Sequence, residues 1–201
     1  MNMLFWFFAG LTVIGIVIST LQVLAVRRAL TAESAGRDRT TRSVPLPPVS
    51  ILKPLKGLDD NLFDNLESFC RQDYPAYEII FALQDRNDPA FKVASKVKAK
   101  HPGKDIKIIV ERCTIGMNPK VNNLVAAYRA SLHDTVLISD SNVLVGPDYL
   151  RSIAARLEDP AVGLVSNLIR GTDGRSLGAV LENLHLNSFI IGSVCFLDRY
   201  L

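Results

Sequence analysis

From Leu4 to Val26 the chain reads LFWFFAGLTVIGIVISTLQVLAV, 23 residues without a charge. A helix of that length rises ~34 Å, enough to cross the ~30 Å hydrocarbon core of a bilayer with some tilt to spare. A cleavable signal peptide carries its positive charge ahead of a shorter apolar stretch. Here the charges come after a long one, so residues 1–26 are expected to be a retained transmembrane anchor. The run explains how a chain of ordinary polar content reaches a mean hydropathy of +0.20.

The charge that follows orients the anchor. Arg27 and Arg28 close the run, and Arg37, Arg39 and Arg42 outnumber Glu33 and Asp38 before residue 45. Beyond that point 18 basic residues balance 18 acidic ones. The whole basic excess is juxtamembrane, so the body is expected on the cytoplasmic side of an inner or cytoplasmic membrane, crossed once, with the arginines against anionic headgroups. A net charge of +3 without a clustered basic face excludes a nucleic-acid binder as the expectation. Three widely spaced cysteines, Cys70, Cys113 and Cys195, with no Cys-x-x-Cys pair, argue against a structural zinc site and a disulfide framework. Residues 27–48, ending Pro45-Leu-Pro-Pro48, read as a basic linker stiffened by proline.

From residue 49 short apolar runs alternate with helical patterns. Strands are expected at 49–52, 77–83, 106–110, 135–139 and 162–165, and helices at 61–70, 89–100, 119–131 and 147–157. Strand alternating with helix implies βαβ units, hence an α/β domain over 49–201 built on a mainly parallel sheet flanked by helices. In such sheets the ligand crevice lies beyond the carboxyl ends of the strands. That rule selects Lys53, the run Gln84-Asp85-Arg86-Asn87-Asp88, and Asp140-Ser141-Asn142.

Several of these segments occur together in a known order. PVSILKPLKGLDDNLFDNLESFCRQDYP, YEIIFALQDRNDPA, GMNPKVNNL and LISDSN resemble the ceramide glucosyltransferase-like branch of the family 2 glycosyltransferases. Within it the chain is similar to the bacterial hopanoid-biosynthesis-associated glycosyltransferases. The resemblance covers residues 1–201. It implies a GT-A fold, a UDP-sugar donor, Mg²⁺ or Mn²⁺, a membrane lipid acceptor of hopanoid or ceramide type, and inversion at the anomeric carbon.

The resemblance also assigns residues. An acidic residue after the second strand holds the nucleoside; Asp88 is favoured, with Asp85 beside it, although Asp before Pro89 also suits a helix N-cap. Asp140 would ligate the metal as a hard oxygen donor, and Asn142, in the third place of an expected Asp-x-Asp, would add a carbonyl oxygen. A plain Asx-turn is the other reading of those two residues. Lys120 and Asn122, in the turn Gly116–Asn123, would meet the diphosphate at a helix N-terminus. Lys53 would reach the nucleotide from the first strand. The family pattern further contains a third acidic residue serving as general base, a Gln/Arg-x-x-Arg-Trp motif and more membrane segments. None occurs within these 201 residues, whose sole tryptophan is Trp6. The expectation is therefore an N-terminal part of such an enzyme or a truncated product, binding donor but transferring no sugar, with Glu182 as the fallback base.

The apolar stretch 177–197 reads as a buried helix of the domain, with an interfacial helix as its alternative. Two other classes stay in view. One is a non-catalytic nucleotide-binding half that needs a partner chain. The other is a membrane-tethered phosphohydrolase, which would place an Asp nucleophile where Lys53 and Pro54 stand.

Overall fold

A computed structural model describes residues 3–37 and 46–200. The chain forms two compact units. One contains the N-terminal helix together with residues 164–200; the other runs from residue 43 to 163.

The second unit is a four-stranded sheet: β1 (Val49–Pro54), β2 (Tyr77–Leu83), β3 (Ile106–Val110) and β4 (Thr135–Ile138), in the order β3-β2-β1-β4. Every pairing is parallel, with Ile51 opposite Ile79 on one side and Leu137 on the other. The chain steps outward from β1 to β3, then returns across to β4. Right-handed crossovers require the connecting helices to change face when the direction of travel reverses. Accordingly α2 (Leu62–Cys70) and α3 (Pro89–Lys100) pack together on one face, and α4 (Pro119–Arg129) covers β1 and β2 from the other. Period-two alternation divides the core to match. Val49, Ile51, Ile79, Phe81 and Leu83 meet Leu66, Phe69, Ala94 and Val97, whereas Leu52, Ile80 and Ala82 meet Ala127 and Leu124. A short helix, α5 (Tyr149–Ala154), closes the first core with Leu150 and Ala154.

The expected strand at 162–165 is absent. Gly163 interrupts a run of only three apolar residues, which gains no edge to pair with, and the unit ends there. The domain expected over 49–201 therefore stops at Gly163 as a compact unit. The linker expected from residue 27 also differs. With no Gly or Pro between Arg27 and Gly36 to stop it, helix α1 runs from Met3 to Arg37, straight through Arg27 and Arg28. The rest of that linker, residues 38–45, lies outside the described residues.

In the first unit α1 meets α7 (Ile191–Tyr200), which continues α6 (Leu177–His185) through one π-helical turn, Leu186–Ile190. The expectation of a buried helix fails at α6, which buries no side chain. Two helical stretches, Met3–Thr31 and Leu177–Tyr200, are long and apolar enough to cross a membrane by length and composition; one was expected.

Candidate functional site

Where the strand order reverses, the carboxyl ends of β1 and β4 splay around a cleft of ≈ 640 Å³. Such a switch point is where open parallel sheets bind ligands. Asp85, Asp88, Lys120, Asp140 and Asn142 all line it, together with Lys56, Asp59, Gln84, Asn87, Asn123 and Ser141.

Its electrostatic centre is an ion pair. Lys120 Nζ lies 2.5 Å from Asp140 Oδ1, each side chain 47% exposed. Asp140 follows β4. Lys120 is the second residue of α4, whose start is specified by Asn118 as N-cap, its Oδ1 accepting from the Lys120 N–H at 2.9 Å, and by Pro119 at N1. A lysine and the positive end of a helix thus converge on one carboxylate at the cleft wall.

Asp88 turns its carboxylate inward. Oδ1 accepts from the Ala90 N–H at 2.9 Å and caps α3, while both oxygens accept from the Gly57 N–H at 2.9 and 3.1 Å. Gly57 sits at φ +71°, a conformation glycine adopts without strain, so Asp88 ties the β1 loop to the start of α3. Asp85 is exposed and lines the cleft; one oxygen closes an Asx-turn on the Asn87 N–H at 2.8 Å, and the other has no hydrogen-bond partner among the described residues.

Lys53 and Asn122 do not line the cleft. Lys53 shares the inward face of Val49 and Ile51 and is fully buried. Its Nζ stands 3.7 Å over the Phe69 ring and donates to the Asp140 carbonyl at 2.8 Å and to Ser139 Oγ at 3.2 Å. Burial pushes its pKa down to about 7, against a smaller opposing pull from the Asp140 charge. Lys53 therefore holds the backbone that carries Asp140 instead of reaching a ligand. Asn122 is likewise internal: its amide accepts from the Gly116 N–H at 2.8 Å and donates to the Gly116 carbonyl at 2.9 Å, shaping the turn before α4. Glu182 is exposed on α6, in the other unit.

Sequence reasoning missed Asp59 and Asn123. Asp59 follows β1 and accepts from Ser141 Oγ, joining the β1 and β4 loops; the strand-end rule extends to it once the strand is known to reach Pro54. Asn123, 4% exposed, donates to the Leu55 carbonyl at 3.1 Å and leaves its Oδ1 unpaired at the cleft floor.

Among the described residues no three His, Cys, Asp or Glu side chains cluster as a protein-only metal site. The donor set around Asp140 fits a different kind of site. One carboxylate and the Asn142 amide beside it are hard oxygen donors, and Mg²⁺-type ions are commonly held by one or two carboxylates completed by substrate phosphates.

A family model described as Glycosyl transferase family 21 matches residues 7–198. Ceramide glucosyltransferase 1 of Caenorhabditis elegans is 43% identical over 154 residues, covering 74% of this chain and 33% of its own length. The chain thus spans about a third of the curated relatives it matches. Among solved structures, the mannosyltransferase PcManGT from Pyrobaculum calidifontis, in complex with GDP-Man and Mn²⁺, superposes with a TM-score of 0.52 at 20% identity, covering 73% of this chain and 46% of that one. S. aureus TarS 1–349 in complex with UDP-GlcNAc gives 0.51 at 19% identity, covering 65% and 36%. The fold is GT-A-like, as the motifs implied.

Proposed function

This chain belongs to glycosyl transferase family 21, and on that premise we propose that it binds a UDP-sugar and serves transfer of the sugar, with inversion, to a membrane lipid of ceramide type. A hopanoid-type polyol is the second acceptor to test. The observation that carries the reading is the Lys120–Asp140 pair at the mouth of a switch-point cleft. A diphosphate needs positive charge on one side and, through a cation, a carboxylate on the other; this cleft offers both.

The roles follow from the chemistry. Asp85 contacts the ribose or uracil with its free oxygen, while Asp88 holds the loop around it. Lys120 and the first N–H groups of α4 neutralise the diphosphate. Asp140 and Asn142 would hold Mg²⁺ or Mn²⁺, which supplies charge stabilisation of the departing nucleoside diphosphate. Lys53 fixes the Asp140 backbone from beneath. Inversion needs a base within hydrogen-bond reach of the acceptor hydroxyl; Asp85 and Asp140 are engaged with donor and metal, and Glu182 is the candidate for variant work. Helix α1 anchors the protein in the membrane, with the sheet unit on the side of Arg27 and Arg28.

Calorimetric titration of the full chain in detergent with UDP-glucose and Mn²⁺ tests the reading. Asp140→Ala should weaken metal-dependent binding about tenfold to a hundredfold, the loss of a charge-assisted contact of roughly 1.5–3 kcal/mol. Parent-like binding by Asp140→Ala and Lys120→Ala alike would overturn the site assignment.

A further inference from the structure

Helix Leu177–Tyr200 has the length of a membrane span, yet three features of the unit are incompatible with its crossing a bilayer. The first is a loop pinned along its flank. Asn187 accepts from the Gly171 N–H and donates to the Gly171 carbonyl, both at 2.8 Å, and Asn183 donates to the Thr172 carbonyl at 3.1 Å. A Cβ at Gly171 would stand 2.2 Å from the Asn183 amide oxygen and 3.2 Å from the Asn183 Cα, so a larger residue would have to displace the Asn183 side chain that holds the loop. Asn187 lies ten residues into the helix, ~15 Å along its axis. In a spanning helix that depth is mid-bilayer, and an irregular loop carrying the charged Arg170 and Asp173 would face hydrocarbon, where lipid-exposed loops do not occur and charges are costly.

The second feature is length. Between Glu182 and Asp198 only 15 residues are free of formal charge, and they include His185, Asn187, Ser188 and Ser193. Fifteen residues rise ~22 Å, short of the ~30 Å core. The third is the contact with α1. Among the described side chains of α1, Leu21, Gln22, Ala25 and Val26 are the ones withdrawn from the surface near its contact with α7, with a Gln22 to Ser193 hydrogen bond of 3.2 Å, while residues 10–20 of α1 are exposed throughout. Two helices spanning together would share a seam over many turns. Among the described side chains this pair meets over the last turns before Arg27, which is where the anchor leaves the hydrocarbon.

We propose that α6 and its continuation lie along the membrane surface on the Arg27 side, docked on the end of α1, and do not cross the bilayer. The partner is the lipid–water interface. Leu177, Val180, Leu181 and Leu184 form the exposed apolar stripe of α6 at i, i+3, i+4 and i+7, and the pinned loop occupies the Asn183 side. The inference rests on α1 being the anchor.

Full-length single-cysteine forms, in a background of Cys70→Ser, Cys113→Ser and Cys195→Ala, test both readings in sealed membrane vesicles. An impermeant maleimide should label Arg175→Cys and Asp198→Cys from one and the same face, and Asn2→Cys from the other. Labelling of positions 175 and 198 from opposite faces would overturn the interfacial placement. Labelling of position 2 from the same face as both would instead overturn the anchor. A bimane on Leu181→Cys supplies the second readout: stronger quenching by a spin label near the headgroup than by one near the acyl terminus is expected, and the reverse order would refute a surface position.

Discussion

Lys53 is an ammonium with no route to water. It is completely buried on β1, under the Phe69 ring, and its oxygen partners among the described residues are Ser139 Oγ and the Asp140 carbonyl. Its pKa stands at about 7, where an exposed lysine titrates near 10.5. Between those values the unfolded chain binds one more proton than the folded one. Unfolding free energy therefore rises with pH through that window, by about 1.4 kcal/mol per pH unit from this group and by roughly 5 kcal/mol across it. Below pH 7 the folded protein carries the full cost of the buried charge. Lys53→Met removes the titration and also the two hydrogen bonds, each worth about 1 kcal/mol. The other groups titrate alike in both proteins, so the stability of the parent minus that of the variant isolates Lys53. Urea unfolding of the full chain in micelles, followed by circular dichroism at pH 7, 8, 9 and 10, should show this difference climbing steadily in the parent's favour. A flat difference would refute the depressed pKa and the sealed environment from which it is argued.

Lys120→Met should weaken UDP binding about tenfold while tightening Mn²⁺ binding in the absence of nucleotide, because Asp140 then loses the ammonium that lies on it; Mn²⁺ titration by electron paramagnetic resonance reads the second effect, and unchanged metal affinity would exclude competition between the two cations. Glu67, buried on α2, is held at about 2 by Lys100 and His101, with Arg71 adding to them against the cost of burial. Its contribution is fully present above the ordinary carboxylate range and is lost as pH falls toward 2, so Glu67→Gln should flatten the acid side of a thermal-stability profile between pH 5 and 2.

The alternating part of the chain was legible because its signals are local. Tyr77–Leu83, Pro89–Lys100 and Ile106–Val110 fall where apolar periodicity, Pro at N1 and the flanking polar residues put them. The cleft was legible for the same reason, since five of the expected residues follow strands or open a helix at one sheet edge. What failed depended on partners. Lys53 was expected to reach the nucleotide because it ends the first strand, whereas it shares the inward face of Val49 and Ile51, and only Phe69 and the Asp140 carbonyl explain how a lysine can stay there. Asn122 and Asn123 are neighbours on α4, yet one clamps Gly116 and the other faces the cleft, a difference set by packing against the β1 loop. Residues 162–165 have strand composition without a neighbouring edge. Leu177–Tyr200 is long and apolar enough for a core helix or a span by overall composition, and its short charge-free stretch, its pinned loop and its contact with α1 discriminate.

On the proposed function, the two units answer to a partition problem that any donor–lipid transfer must solve. A nucleoside diphosphate cannot enter hydrocarbon, where each charge costs at least about 3 kcal/mol. A two-chain lipid acceptor does not readily leave it, since each buried methylene contributes ~0.8 kcal/mol and stable anchoring takes two chains. Reaction is therefore confined to a layer a few ångströms thick at headgroup level, where the acceptor hydroxyl already sits. The sheet unit meets the first constraint with a hydrated, half-exposed ion pair in a cleft that the donor can enter from water. On the readings proposed above, the helical unit meets the second with an anchor that leaves the hydrocarbon at Arg27 and a surface helix docked at that same depth. A second span would carry the chain away from this layer; a surface helix keeps it there. The glycine at 171 and the asparagines at 183 and 187, which force the loop along the helix, are thus the residues whose loss should do most to change where the helix lies.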